Sequence, residues 1–246
     1  DNMSYDVRHG LIRGLTKQAK KAITPEYVES VTLLKIRKLL HGHKKDLDDY
    51  KLPMPDKVHD EKNAEILMEL AYDEIQCAKD VERNVGLMND EQETFYHAVI
   101  DAIYGNSQQK LFFVDALGGT GKTFVAETIL ANVRSKKDIA IAVAFSGIAA
   151  LLLEGGRTLH SRFGLPCDFH QDTMGDINRR SQVAELLREA KVIIWDEAPM
   201  AHRLVFECID RTLRDVTMCP NQPFGGKILV LSGDFRQVLP VVPRAA

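Results

Sequence analysis

At 246 residues the chain is long enough to bury one sizeable α/β core, or a core with a smaller attachment. Hydrophobic residues at 45% and charged residues at 27% are ordinary for a globular protein, and a formal net charge of −3 excludes one that coats nucleic acid by bulk charge, while leaving room for a local basic groove. No apolar run is long enough to span a bilayer, no signal-peptide pattern opens the chain, and the scattered Cys77, Cys167, Cys208 and Cys219 form no CxxC pair, which fits a reducing, intracellular compartment.

Residues 1–45 carry ten Lys or Arg against four acids, a net +6. Thr24-Pro25 reads as an N-cap followed by proline at the first helical position, and Val28, Val31 and Leu34 then keep helical spacing. KLPMPDK, residues 51–57, reads as a proline-bearing connector. A second helix is expected from about Asp60 to Arg83, with Leu67, Leu70, Ala71, Ile75 and Ala78 on one face. The opening DNM and closing VLPVVPRAA read as cut ends of a longer chain.

From residue 87 the texture changes. Asn89 caps a helix ending near Gly105, and four apolar runs of strand length follow: LFFVDA, IAIAVAF, VIIWDE and ILVLSGD. Helical patterns separate them, over Lys122 to about Val133, Gly147–Leu153, Val183–Ala190 and Leu204–Val216. Continuous apolar strands alternating with helices predict an α/β fold, a mainly parallel sheet covered on both faces. Ligands of such sheets sit at the carboxyl ends of the strands. Three of the four runs end there in polar strings: GGTGKT, WDEA and SGDFRQ.

ALGGTGKT, residues 116–123, fits a P-loop between strand and helix, with Ala116 where the first glycine usually stands. Gly118, Gly119, Thr120 and Gly121 let backbone N–H groups turn inward as an anion nest, and the helix N-terminus adds its free amides. Lys122 is placed to reach the β and γ phosphates of ATP, and Thr123 to offer its hydroxyl to Mg²⁺. The competing reading is a glycine-rich turn with an incidental Gly-Lys-Thr.

Asp196 and Glu197 end an apolar strand, where acids are also common helix caps. Beside a P-loop they read as a Walker B pair: Asp196 for Mg²⁺, Glu197 to orient or deprotonate the attacking water. Gln237 is the candidate sensor of the γ-phosphate or its water, against a solvated turn. Asn89 and Gln92 match a capping box, while the Gln92 amide also suits an adenine edge. GRTLHSRF, residues 156–163, mixes cations, hydroxyls and an aromatic, as single-stranded nucleic acid tracks do; a basic loop with a core phenylalanine accounts for it nearly as well. His160 alone reads as structural, and Trp195 as packing.

Taken together, GGTGKT, FSGIAALLLEGGRTLHSRFGLP, VIIWDEAPM and ILVLSGDFRQVLPVVP resemble the petite-integration-frequency family of ATP-dependent DNA helicases, and within it the branch found in Helitron transposons. The resemblance covers roughly residues 87–243. It implies a RecA-like P-loop NTPase domain over 87–246, preceded by a helical N-terminal region over 1–86. It implies a superfamily 1 motor that spends Mg-ATP to move 5′ to 3′ on single-stranded DNA and open duplex junctions, in DNA repair and recombination, without a membrane. Gln92 then matches the adenine-reading glutamine, Lys122 and Thr123 the P-loop pair, Asp196 and Glu197 the Mg²⁺ and catalytic acids, and Gln237 the γ-phosphate glutamine. Ser146, His160, Ser161 and Phe163 fall in the segments that contact single-stranded DNA. The family closes its ATP site with an arginine from a second RecA-like domain, expected beyond residue 246, so this chain is expected to bind ATP and DNA but to unwind poorly alone. The alternative is a nucleotide-gated DNA-binding module without useful turnover. The expected location is the nucleus, with the mitochondrion as the alternative; oligomeric state is left open.

Overall fold

The structure, a computed structural model, describes residues 46–53, 64–166 and 168–238, together with Glu29, Thr32, Leu33, Ile36 and Leu40. The Thr24-Pro25 helix start and most of the KLPMPDK connector lie outside the described residues. The chain divides into two compact units, Asp1–Asp73 and Glu74–Ala246. Among the described residues no helix is long and apolar enough to cross a membrane.

In the first unit the described residues between 29 and 40 are helical. Leu47–Tyr50 forms a single 3-10 turn closed by a capping box, in which Asp46 N–H donates to Asp49 Oδ2 at 2.9 Å. Helix α1 spans Ala64–Glu69. The single helix expected from Asp60 to Arg83 is therefore broken: α1 ends at Glu69, and α2 spans Glu74–Val85 in the second unit. Asp73 stands immediately before α2, where an Asp side chain competes with the helix and favours a cap. Apolar spacing alone does not register that punctuation.

The second unit is a parallel sheet with helices on both faces. Its elements run α2, α3 (Asp90–Tyr104), β1 (Leu111–Asp115), α4 (Lys122–Ser135), β2 (Ala140–Ala144) and α5 (Gly147–Leu152). They continue as β3 (Arg157–Thr158), α6 (Leu159–Phe163), α7 (Gln182–Glu189), β4 (Val192–Asp196), α8 (Arg203–Thr217) and β5 (Ile228–Gly233). The strand order is β1-β5-β4-β2-β3, and every pairing is parallel. The two-residue β3 and α6 occupy the GRTLHSRF stretch, which reads from sequence as a nucleic acid track or a basic loop.

Strands β2 and β4 are buried along their whole length, which is why they are apolar without alternation. On one face Phe112, Ala140, Ala142, Val192, Ile194 and Val230 pack with Tyr96 and Val99 of α3 and Ile129, Leu130 and Val133 of α4. Residues one step out of phase face the other way. There Trp195 stacks on Phe206 of α8 with ring centroids 4.4 Å apart, so its role is packing.

The sheet brings the carboxyl ends of β1, β5 and β4 side by side. Asp115 pairs with Gly233, Trp195 with Leu231, and Ala116 N–H donates to Gly233 O at 3.2 Å. A Cβ on Gly233 would stand 2.2 Å from Pro199 Cδ, so only glycine lets the turn after β4 lie this close to β5. Three polar strings far apart in sequence thereby meet at one edge.

Candidate active site

The P-loop runs from the end of β1 into α4. Gly121 is the N-cap of α4, with φ 88°, and no side chain caps the helix. The first-turn amides are therefore left for an anion, and Gly119 and Gly121 hold left-handed backbone that L side chains resist. Lys122 Nζ donates to Ala116 O at 2.6 Å and Leu117 O at 3.0 Å, which folds the ammonium over the loop. Thr120 Oγ1 donates to Leu117 O at 2.7 Å, and Thr123 follows Lys122 in the first turn of α4.

Asp196 closes β4 and is 3% exposed. Its Oδ1 accepts from Ser232 Oγ at 2.7 Å and from Glu197 N–H at 3.0 Å; no hydrogen bond among the described residues engages Oδ2. Glu197 takes a left-handed conformation, φ 55°, which is costly for a residue with a Cβ and turns the chain sharply after Asp196. Burial raises the Glu197 pKa above the ordinary glutamate range. The Asp196 carboxylate and, further off, Asp234 push the same way, while Lys122 pulls it down. A carboxyl so tuned, beside an anion-binding loop, is suited to take a proton from water.

Gln237 follows β5 on the 3-10 turn Phe235–Gln237, and its amide reaches the P-loop: a Cβ on Gly118 would stand 3.0 Å from Gln237 Nε2. Between them lies Asp234, a residue the motif reading passed over. Its Oδ2 accepts from Gly118 N–H at 3.2 Å and Gln237 Nε2 at 3.0 Å, and its Oδ1 from Arg236 N–H at 3.0 Å and Arg236 Nε at 2.8 Å. The Arg236 hydrogen bond chiefly holds its pKa down at about 2, against the effect of burial, with help from Arg236 N–H and Gln237. The available signal was an acid immediately after the strand that neighbours the P-loop strand.

Gln92 reaches the other end of the loop. It closes the expected capping box with Asn89, and its Nε2 also donates to Thr120 O at 2.8 Å. The amide is thus already against the phosphate loop, and a Cβ on Gly121 would come within 2.7 Å of it.

The remaining predicted residues lie at the ends of β2 and β3. Ser146 caps α5 by accepting from Ala149 N–H at 3.2 Å, and Ser161, exposed on α6, donates its N–H to Thr158 Oγ1 at 3.3 Å. His160 lies between Phe145 and Phe169, with ring centroids 6.1 Å away in each case. Phe163 is a correction. It is fully buried, so it offers no face to a base, and its spacing on α6 turns it into the core. Phe145 and Phe169, which the motif reading did not single out, are the partly exposed aromatic groups of this region.

Asp196 and the Thr123 hydroxyl are both hard oxygen donors. They suit Mg²⁺, which takes one or two protein ligands and completes its octahedron with phosphate oxygens and water. No cluster of three or more His, Cys, Asp or Glu that could hold a metal by itself occurs among the described residues.

A glycine-rich loop with uncapped first-turn amides, a buried carboxylate with a raised-pKa neighbour and a glutamine amide against the loop, at the carboxyl edge of a β1-β5-β4-β2 parallel sheet, define a P-loop NTPase of the RecA-like class. The model of the family described as PIF1-like helicase matches residues 87–246, and the chain belongs to that family. It is 36% identical over 137 residues to the ATP-dependent DNA helicase Pif1 of Campylobacter jejuni, covering 53% of this chain and 29% of that protein. Against the ATP-dependent DNA helicase PIF1 of Candida albicans it is 32% identical over 163 residues, 65% of this chain and 17% of the relative. Among solved structures, Pif1 helicase from Bacteroides in complex with ADP-AlF3 and single-stranded DNA matches with TM-score 0.52 and 30% identity, over 63% of this chain and 34% of that one. Two coordinating Pif1 helicases at forked duplex DNA match with TM-score 0.53 and 29% identity, over 64% and 36%. The chain thus spans about a third or less of the length of these relatives.

Proposed function

We propose that this chain carries the nucleotide-binding motor domain of an ATP-dependent DNA helicase. The observation that carries the reading is the meeting of Lys122, the Asp196–Glu197 pair and Gln237 at one sheet edge. The P-loop amides and Lys122 bind the phosphates of ATP, and Gln92 is positioned to read adenine. Thr123 and Asp196 hold Mg²⁺, which supplies charge neutralisation on the phosphates. Glu197 takes a proton from the attacking water, and Gln237 fixes that water against the γ-phosphoryl. Single-stranded DNA lies across the ends of β2 and β3, with Ser146, Ser161 and His160 toward it. Relatives whose solved structures hold single-stranded or forked DNA support DNA as the partner.

Three finer statements belong to the same proposal and rest on the family resemblance. Movement runs 5′ to 3′, the chain falls in the Helitron-like branch, and an arginine from a second RecA-like domain completes the site for fast turnover. The test is ATP hydrolysis with and without single-stranded DNA, with Lys122→Ala as the blank. DNA-stimulated turnover that Lys122→Ala abolishes is the expected result once the second domain is supplied. Nucleotide binding that Lys122→Ala leaves unchanged would sink the reading.

A further inference from the structure

Asp234 caps the 3-10 turn that follows β5, and its carboxylate also reaches beyond that turn to the P-loop. Its carboxylate is 3% exposed, lies just beyond the end of β5, and joins Gly118 N–H of the P-loop to the side-chain amide of Gln237. An ionised carboxylate only accepts hydrogen bonds. Gln237 must therefore turn Nε2 toward Asp234, which leaves Oε1, an acceptor, for a partner on the other side. Arg236, donating to Asp234 Oδ1 at 2.8 Å, keeps the acid ionised and fixes its plane, and the Arg236 guanidinium in turn faces Asp115 at 3.9 Å.

We propose that Asp234 is a positioning residue for ATP hydrolysis, orienting the Gln237 amide so that its carbonyl oxygen accepts from the attacking water. The inference rests on the ATPase reading above. In the step it serves, the water oxygen bonds to the γ-phosphorus and one water proton passes to Glu197. The bond from the γ-phosphorus to the β–γ bridging oxygen breaks, with its electron pair leaving on ADP. The second O–H stays on the oxygen that becomes part of inorganic phosphate; it needs a hydrogen-bond acceptor to hold the water in line, and Gln237 Oε1 is that acceptor only while the amide cannot flip. With asparagine at 234, the two Arg236 donors would hold the amide oxygen on their side and turn its NH2 toward Gln237, which would draw Gln237 Oε1 inward and leave the water facing an N–H.

The test uses a fluorescent ADP with and without aluminium fluoride, which with ADP mimics the transferring phosphoryl. Wild type, Asp234→Asn, Gln237→Ala and the double variant are compared. ADP affinity is measured for each variant, and the effect of aluminium fluoride is read as a ratio to it. The tightening by aluminium fluoride is expected to fall roughly tenfold or more in each single variant. The double variant should be no worse than either alone, because the two residues act as one unit. Retained tightening in Asp234→Asn, or a loss that multiplies that of Gln237→Ala, overturns the inference alone. Wild type that binds no nucleotide, or Lys122→Ala binding as well as wild type, overturns the ATPase reading and the inference with it.

Folding is checked by the fluorescence of Trp195, the sole tryptophan. Should Asp234→Asn not fold, Gln237→Glu decides. Its carboxyl would face Asp234 among Arg236, Asp115 and Glu197, and the tightening should be lost at pH 8. It should return toward the wild-type value at each lower pH, as the introduced carboxyl gains a proton and donates to Asp234 as the amide did. No such recovery relative to wild type overturns the inference.

Discussion

Ser232 Oγ lies 2.7 Å from Asp196 Oδ1, and both residues are buried. The end of β5 thus fixes the carboxylate that ends β4 through Oδ1, while no hydrogen bond among the described residues engages Oδ2, the oxygen proposed for Mg²⁺. Ser232→Ala removes a charge-assisted donor from a buried acid, which costs about 1–3 kcal/mol. The expected outcome is a lowered urea midpoint and a raised Mg²⁺ concentration for half-maximal ATP hydrolysis. Unchanged Mg²⁺ dependence would show that Asp196 needs no help from β5.

Glu197 is the proposed base, and its environment sets a pH signature. Burial, then Asp196, raise its pKa above the ordinary glutamate range, with Lys122 partly opposing. A base with a raised pKa is lost to protonation at a higher pH than an ordinary carboxylate. Hydrolysis should therefore decline as pH falls while still above the usual glutamate range. Glu197→Gln should lower kcat by roughly 10²–10⁴-fold and leave ATP affinity intact. A variant that loses binding instead of turnover would assign Glu197 to nucleotide or metal contact.

Phe163 and His160, three residues apart on α6, should separate stability from DNA binding. Phe163 is fully buried, so Phe163→Ala should cost about 3–5 kcal/mol by thermal or urea unfolding. His160 is half-buried between Phe145 and Phe169 at the strand ends. His160→Ala should leave the unfolding midpoint nearly in place and weaken single-stranded DNA binding by about 1–3 kcal/mol, the worth of a stacked base. Fluorescence anisotropy with a labelled oligonucleotide reads both. Equal DNA affinity in His160→Ala would move the track away from β2 and β3.

The strands, their parallel pairing and the P-loop were legible because each depends on local chemistry: unbroken apolar runs, and glycines between a strand and a helix. The place of Asp196 and Glu197 at a strand end near the phosphate loop was legible only because a P-loop stood elsewhere in the same chain. Two things were not. The break between α1 and α2 lies within a stretch whose apolar spacing continues through it, and the cap-favouring Asp73 is one residue in twenty-four. Asp234 was invisible as a partner of Gly118, because that contact joins residues 116 positions apart. Phe163 was placed among the DNA contacts for a related reason: the same residue types suit a nucleic acid track and a basic loop with a core phenylalanine, and only packing chooses the buried side.

Asp234 also predicts how the fold responds to acid. Its pKa is about 2 in the folded chain, against an ordinary aspartate value of 3.8, with Arg236 as the leading cause. A depressed carboxyl contributes stability that is fully present above its unfolded pKa and is lost as pH falls through the folded one. The window is therefore from about pH 4 down to about pH 2. Wild type should exceed Asp234→Asn in unfolding free energy at pH 7, and the gap should close across that window. Urea midpoints of both proteins at pH 7, 4, 3 and 2 measure it. A gap that persists undiminished at the acid end would mean that Asp234 holds the P-loop by shape and neutral hydrogen bonding, not by its charge.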